Sequence, residues 1–334
     1  MNKRILGTLA VLIFLAVMFA IEINNWRRFD WSIFLANARY VSLTRAAFAV
    51  ALIHMTFLLR AIRWSVLLRP QKDVPAVRLI GPTFVGFAGL ALLGRAGELV
   101  RPYLISRREG LTVSSQLAAL TLERIFDTAA VGIVILTAIL ASSSTKPLPF
   151  RQELRQGTFF LLILVAGLSA AVFVFARNGA RFGRFLLRVL SPLPAGIGKK
   201  AAAIVGDFSA DLGVRRDAKS LAQILLISIA VWLFIGLSYF ESLHAFGSLW
   251  RMSMVDALIL MGFGLLGSLI QLPGGGAPQL FIIAALVQVF GVSAELAVSC
   301  GILGWLTIYM APVPLGILLL RQQNLSLRAL RQVE

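Results

Sequence analysis

One stretch decides how this chain can fold: Leu93-Gly94-Arg95-Ala96-Gly97-Glu98-Leu99-Val100-Arg101-Pro102. It places two arginines and a glutamate beside glycines in a chain that is otherwise apolar. Isolated charges are costly in apolar surroundings, so these side chains need oppositely charged partners, water or a ligand. We therefore expect the rest of the chain either to bury this stretch and pair its charges or to form a site around it.

The composition is typical of a membrane protein. Of the 334 residues, 58% are hydrophobic and 14% are charged, and the mean hydropathy is +0.86. A soluble domain is far less apolar, and several runs are long enough to cross a bilayer. We predict an all-α polytopic membrane protein in which residues 1–334 form a single transmembrane domain.

The formal net charge of +17 indicates lysines and arginines held at the cytoplasmic face of the cytoplasmic (inner) membrane. We predict a multi-pass protein with both termini cytoplasmic and a basic cytoplasmic loop at 177–219 that contains an amphipathic helix. Nucleic-acid binding is not predicted, because no compact soluble module accompanies the charge. Cys300, His54 and His244 show no metal-ligand spacing, so neither a metal nor a cofactor is predicted.

Two apolar runs are too short or too interrupted to cross as one helix. The first, Leu79–Leu93, leads into the glycine-rich stretch quoted above, and the second, Met254–Leu272, leads into Pro273-Gly274-Gly275-Gly276-Ala277-Pro278-Gln279. Glycine and proline at this density break a helix. We predict two re-entrant helical hairpins and about six full spans, or seven or eight spans if either hairpin crosses.

The two broken regions resemble each other. Glu98 precedes Gly110 by the same interval as Gln279 precedes Gly291, and similar residues follow each glycine. We predict an inverted repeat, with repeat 1 at about 79–141 and repeat 2 at about 254–320. Such repeats are typical of transporters, whose site lies where the helix breaks face each other. Glycine N–H groups at the breaks can hold an anion such as phosphate.

Three charges interrupt the predicted span Val113–Leu140. Glu123 and Asp127 share one helix face, with Arg124 beside them, roughly 16 Å along a helix that crosses a core of about 30 Å. Each charge is costly at this depth. We expect Glu123 and Asp127 to pair with Arg95 or Arg101. Whether the cluster only clamps hairpin to helix, binds substrate, or does both stays open here.

An earlier predicted span, Arg45–Leu68, carries Arg60 and Arg63 near its end. Long arginine stems near a helix end can extend toward the membrane surface. We expect both guanidinium groups to reach the surface in this way, outside the charge cluster.

The quoted stretch, Arg107-Arg108-Glu109-Gly110, Leu122-Glu123-Arg124-Ile125-Phe126-Asp127 and Leu272-Pro273-Gly274-Gly275-Gly276 together resemble a flippase-like family. This is the transmembrane region of lysylphosphatidylglycerol synthases, also found as stand-alone membrane proteins. The resemblance implies lipid translocation. The chain departs from the pattern because no soluble aminoacyl-transfer domain follows Arg321, and because Gln279 stands where an acid is often found.

The leading hypothesis is a lipid translocase, not an enzyme. It would move an anionic or zwitterionic phospholipid, or a polyprenyl-linked lipid, through a polar midplane cavity. The predicted substrate-binding residues are Arg95, Gly97, Glu98, Arg101, Glu123, Arg124, Asp127, Pro273, Gly274, Gly275, Gly276 and Gln279. A membrane-embedded glycosyl- or headgroup-transferase and a scaffold for lipid-modifying enzymes are the alternatives. Assembly into a homo-oligomer is left open.

Overall fold

The computed structural model describes residues 30–141, 217–270 and 274–322, with isolated helical positions between 152 and 178. The predicted first span, the amphipathic helix of the basic loop and Pro273 lie outside the described residues. Helices make up nearly all of what is described, and no strand occurs there. The prediction of an all-α polytopic fold is confirmed.

Ten α-helices run through the described segments, joined in places by tighter or wider turns. They are α1 Trp31–Arg39, α2 Leu43–Leu68, α3 Ala76–Leu93, α4 Val100–Glu109, α5 Val113–Ala141, α6 Ala218–His244, α7 Met254–Ser268, α8 Gly276–Gln288, α9 Ala294–Gly304 and α10 Pro312–Gln322. A 3₁₀ segment, Gly94–Leu99, joins α3 to α4, and a π-helical segment, Trp305–Tyr309, follows α9.

Helices α2 and α6 pack against each other and run in opposite directions. At what we call the first end, Leu68 of α2 and Ile224 of α6 share one apolar cluster. At the second end, the Ser42 N–H donates to the Ala245 carbonyl at 2.9 Å. Helix α2 has 26 residues, which at ~1.5 Å each exceeds the ~30 Å of a bilayer core. The two helices therefore connect opposite ends of the molecule.

Helices α3 and α4 form hairpin 1, Ala76–Glu109. By length and composition this stretch counts as one span of 34 residues, but it folds back on itself. Gly86 lies against the backbone of Arg101, and Arg78 pairs with Glu109 at 3.5 Å. The two helices are therefore antiparallel, because residues farther from the turn on α3 contact residues farther from the turn on α4. Both ends of the stretch lie on the same side of the molecule.

Helices α7 and α8 form hairpin 2, Met254–Gln288. Gly267 packs on the backbone of Pro278, and Gly264 packs against Ile282, which is again an antiparallel arrangement. Helix α7 ends at Ser268, earlier than the predicted Leu272, because the next N–H groups turn back to the carbonyls of the last turn.

The hairpins approach from opposite ends. Leu79 and Ile105, at the base of hairpin 1, pack with Leu68 at the first end. Leu286, at the base of hairpin 2, packs with Leu243 at the second end. A membrane crossed by α2 and α6 would therefore receive the two hairpins from opposite faces.

Each hairpin leads into the next helix in the same way. Gly110 follows α4 with φ +66° and Gly291 follows α8 with φ +64°, a backbone that glycine adopts without strain. The next helices begin at Val113 and Ala294, each three residues after its glycine. This shared exit matches the spacing on which the repeat was predicted.

Four described stretches are long and apolar enough to cross a membrane: Leu43–Leu68, Ala76–Glu109, Ala218–His244 and Ala294–Arg321. The last includes α9, the π-helical segment and α10, so it is interrupted near Pro312, as its sequence predicts. Helix α5 has 29 residues and is also of membrane length.

Candidate functional site

The tips of the two hairpins touch. The Gly274 N–H donates to the Ala91 carbonyl at 3.0 Å, and Nη2 of Arg95 donates to the Leu269 carbonyl at 3.2 Å. The helix breaks therefore face each other, as predicted. These bonds occupy the Gly274 N–H and anchor Arg95 to the second tip. Gly274 and Arg95 therefore hold the two tips together.

The π-helical segment holds the second tip in place. Nε1 of Trp305 donates to the Gly274 carbonyl at 2.7 Å. The Tyr309 ring lies where a side chain on Gly275 would have to go, and Gly275 has φ +67°. A π-helical turn inside a helix is frequent at functional sites. Two of the predicted glycines thus shape the tip, whereas Gly276 has open space beside it.

Gln279 is buried behind the second tip, 8% exposed. Its side-chain oxygen finds no hydrogen-bond partner within the described segments. Its backbone carbonyl faces Gly301 of α9. The structure therefore places this predicted site residue in the packing between α8 and α9, apart from the charges of the first hairpin.

A group of charged side chains, most of them buried, joins α2, hairpin 1 and α5, and we call it the ionic cluster. Its members are Arg60, Arg63, Glu98, Arg101, Glu123, Arg124 and Asp127.

Glu123 is the centre of the ionic cluster and is 0% exposed. Nη2 of Arg63 and Nη2 of Arg101 each donate to it through short hydrogen bonds. Nη1 of Arg60 lies 3.3 Å from the same carboxylate. One carboxylate therefore ties α5 to α2 and to hairpin 1, which compensates the cost of burying it.

Asp127 also pairs with Arg60 and Arg63 of α2. It accepts from Nη1 of Arg63 at 2.5 Å and from Nη1 of Arg60 at 3.3 Å. Arg63 also donates to Ser228 Oγ of α6 at 2.6 Å. The guanidinium group of Arg63 thus links α2, α5 and α6 at one buried point.

Arg60 and Arg63 do not extend to the surface, so that sequence expectation is wrong: they are 6% and 0% exposed. Their three-residue spacing on α2 faces the four-residue spacing of Glu123 and Asp127 on α5. That complementary spacing was the available signal. Ion pairs with Glu123 and Asp127 hold the arginines inside and repay part of the desolvation cost of burying them.

Arg101, predicted as a partner of the α5 carboxylates, takes that role. Its guanidinium carbon lies 4.0 Å from the Trp64 ring centroid and 5.2 Å from that of Phe87. A side chain on Gly86 would collide with the Cβ of Arg101. Glycine at 86 therefore allows α4 to approach α3 closely enough for Arg101 to reach Glu123.

Arg124 and Glu98 form the accessible side of the ionic cluster, with side chains 47% and 31% exposed. Nε of Arg124 lies 3.7 Å from Glu98, and Nη2 lies 3.7 Å from Glu123 and 3.8 Å from Asp127. These distances exceed those of hydrogen bonds. Arg124 is therefore surrounded by carboxylates without being bound tightly to any of them.

Two hollows flank the ionic cluster. A cavity of about 170 Å³ lies between α2, α3, α6, the π-helical segment and α10, with Arg60 in its wall. A smaller cleft, lined by Glu98, Arg101 and Arg124, lies on the other side. Phe87 borders both. Among the described residues, no group of histidine, cysteine or acidic side chains is arranged to hold a metal ion.

Substituting Trp305 tests the anchor of the second tip. Trp305→Phe removes the N–H that Gly274 accepts, so we expect a loss of about 0.5–1.5 kcal/mol in the free energy of unfolding. SDS titration of the purified protein in detergent measures it. Trp250→Phe is the control, because the Trp250 side chain is 65% exposed; an equal loss in both variants would contradict the anchor.

These features define a class of protein: a helical membrane protein in which two opposed hairpins meet beside buried arginine–carboxylate pairs. The chain belongs to the family described as Lysylphosphatidylglycerol synthase TM region, which matches residues 5–316. The family predicted from the sequence motifs is thereby confirmed. No curated protein is similar enough to this chain to be matched.

Proposed function

We propose that this protein is a lipid translocase that moves a phospholipid or lipid-linked headgroup across the cytoplasmic membrane. The observation that carries the proposal is the meeting of two opposed hairpin tips beside a buried ionic cluster and a cavity. Opposed broken helices around one site suit alternating exposure of that site to the two faces. The family, a transmembrane region of lipid-modifying proteins, supports a lipid as the partner.

Described charges support an orientation. The basic residues at the first end include Arg69, Lys72, Arg78, Arg107, Arg108 and Lys219, and those at the second end include Arg39, Arg45 and Arg251. Basic residues concentrate on the cytoplasmic side of membrane proteins. The first end is therefore cytoplasmic in this proposal, and hairpin 1 re-enters from the cytoplasm while hairpin 2 re-enters from outside.

The lipid headgroup first contacts the protein at the loosely held pair Glu98–Arg124. There it replaces the contacts that Arg124 makes with its carboxylate neighbours. Arg124 is half-exposed and lies at more than hydrogen-bond distance from each carboxylate. A lipid phosphate can bind Arg124 without breaking any short hydrogen bond of the protein. Glu123 and Asp127, tied to Arg63 and Arg101, keep the framework in place meanwhile.

The transferase alternative would use a carboxylate as general base. Glu123 and Asp127 each accept hydrogen bonds from buried arginines, so their oxygens are already engaged and are poorly placed to take a proton from a substrate. This geometry favours transport over transfer. A scaffold role needs neither the cavity nor the cluster.

The test uses the purified full-length chain in liposomes with a fluorescent phospholipid and measures its transfer between leaflets. We expect transfer faster than in protein-free vesicles, and a loss of tenfold or more when Glu98→Ala and Arg124→Ala are combined. The matched control combines Arg45→Ala and Glu241→Ala, because this pair at the second end is also partly exposed, 45% and 14%. The control variant is expected to keep the wild-type rate.

Undiminished transfer in the Glu98/Arg124 variant would reject the assignment of the site. Transfer no faster than in protein-free vesicles would reject the translocase. Mass spectrometry of the same vesicles, supplied with a lipid-linked sugar or an aminoacyl donor, reports any headgroup transfer; a modified lipid without leaflet exchange would favour the transferase.

A further inference from the structure

Arg60 has hydrogen-bonding capacity that the ionic cluster does not use. Both of its hydrogen bonds to described residues come from Nη1, each at 3.3 Å. Its Nε is buried and has no hydrogen-bond partner in the part of the chain that the structure describes. A guanidinium group carries five N–H donors, and buried donors without partners are costly. Arg60 is therefore prepared to bind a further acceptor.

The cavity beside Arg60 has the size and the walls for a compact group on an apolar stem. Its volume is about 170 Å³, and its wall includes Thr56, Phe57, Ile235, Ile308 and Tyr309 beside Arg60. A cavity of ~150 Å³ holds a molecule the size of benzene. A phosphate with the first carbons of a chain has a size that this space holds.

The charge of the site favours an anion. The ionic cluster contains four arginines and three carboxylates. All three carboxylates lie within ion-pair distance of at least one arginine, and Glu123 and Asp127 accept short hydrogen bonds from Arg63. A cationic headgroup would meet Arg60 with no free carboxylate in the cavity wall, and like charges repel strongly where water is scarce.

Phe87 separates this cavity from the cleft on the Arg124 side. Its ring lies 4.9 Å from the guanidinium carbon of Arg60 and 5.2 Å from that of Arg101. It borders both the cavity and the cleft. Leu90 also lines both hollows, so a phosphate leaving Arg124 passes Phe87 and Leu90 to reach Arg60.

We propose that the Arg60 cavity is a binding subsite for the phosphate of an amphiphile with a compact, net anionic headgroup, and that cationic aminoacylated lipids are not its ligands. This rests on the proposed translocase function and names its substrate class. The phosphate accepts from the free N–H groups of Arg60, and the first methylene groups of its chain pack against Ile235 and Ile308.

Binding of octyl phosphate to the full-length chain in a neutral maltoside detergent tests the subsite, measured by isothermal titration calorimetry below the micellar concentration of the ligand. Octyltrimethylammonium and inorganic phosphate serve as comparison ligands. We expect octyl phosphate to bind at least tenfold more tightly than either, because each buried methylene adds about fourfold and the cation is repelled.

Two variants locate the binding. Arg60→Gln removes the guanidinium group and its positive charge, and Ile308→Trp fills the cavity while leaving every charge in place; each is expected to weaken octyl phosphate binding tenfold or more. Leu306→Trp is the matched control, since Leu306 lies on the same π-helical segment but is 51% exposed. Gel filtration and the SDS unfolding midpoint verify that the variants are folded.

Unchanged affinity in Ile308→Trp, or equal binding of the cationic ligand, would overturn the proposal. Equal affinity for inorganic phosphate would show that the ligand is the free anion and would overturn the lipid assignment. The proposal and the translocase fail separately: leaflet exchange without octyl phosphate binding refutes only the subsite, and binding without leaflet exchange refutes only the translocase.

Discussion

Replacing Glu123 by alanine is expected to lower the free energy of unfolding by about 3–5 kcal/mol. Glu123 is 0% exposed, and removing it leaves Arg63 and Arg101 as buried charges without their principal acceptor. The lost partners lie on α2 and α4, so the substitution removes contacts that join three helices, α2, α4 and α5. SDS titration of the purified protein, followed by circular dichroism, measures the loss.

Glu98→Ala is the matched control for Glu123→Ala. Glu98 belongs to the same cluster, but its side chain is 31% exposed and its pair with Arg124 is 3.7 Å long. Partly exposed pairs at this distance contribute about 0–1 kcal/mol. If Glu98→Ala were as destabilising as Glu123→Ala, burial would not be what distinguishes the two carboxylates.

Gly97→Ala is expected to prevent hairpin 1 from closing as it does here. A methyl group at this position would overlap the backbone of Gly89 and Leu90. A backbone cannot move aside as a flexible side chain can, so we expect a loss of about 1–3 kcal/mol or more. Because Arg101 lies on the returning helix, lipid transfer in liposomes is expected to fall with stability.

Gly304→Ala provides the control for Gly97→Ala. Gly304 is helical, with φ −61°, and no described atom lies where its Cβ would go. Alanine in such a helix is expected to be neutral or to stabilise by about 0.5–1 kcal/mol. A similar loss in both variants would mean that the tight contact between Gly97 and Gly89 is not the cause.

The sequence was sufficient to predict the two helix breaks, because glycine and proline density marks a break independently of its surroundings. The quoted stretch Leu93–Pro102 and the break around Gly274 both fall where the structure turns. Pairing of Arg101 with Glu123 was also predictable, since buried opposite charges on neighbouring segments need each other.

The pairing of Arg60 and Arg63 with the α5 carboxylates could not be predicted from their positions near the end of α2. Helix α2 brings them to the α5 carboxylates through its tertiary packing, and nothing local in α2 distinguishes an arginine that reaches the surface from one that turns inward. The same holds for Arg95, which lies near Arg101 in sequence but donates to the Leu269 carbonyl at the tip. The direction in which each of these arginine side chains points therefore depends on partners that are distant in the sequence.

We propose that lipid headgroups pass through the cavity enclosed by α2, α3, α6, the π-helical segment and α10. The rate of fluorescent-phospholipid exchange in liposomes containing Ile308→Trp tests it most directly, compared with Leu306→Trp and the wild type. Ile308 lines the cavity, whereas the Leu306 side chain faces outward. We predict that Ile308→Trp exchanges lipid no faster than protein-free vesicles while Leu306→Trp retains the wild-type rate. Wild-type exchange by a folded Ile308→Trp protein would contradict the claim.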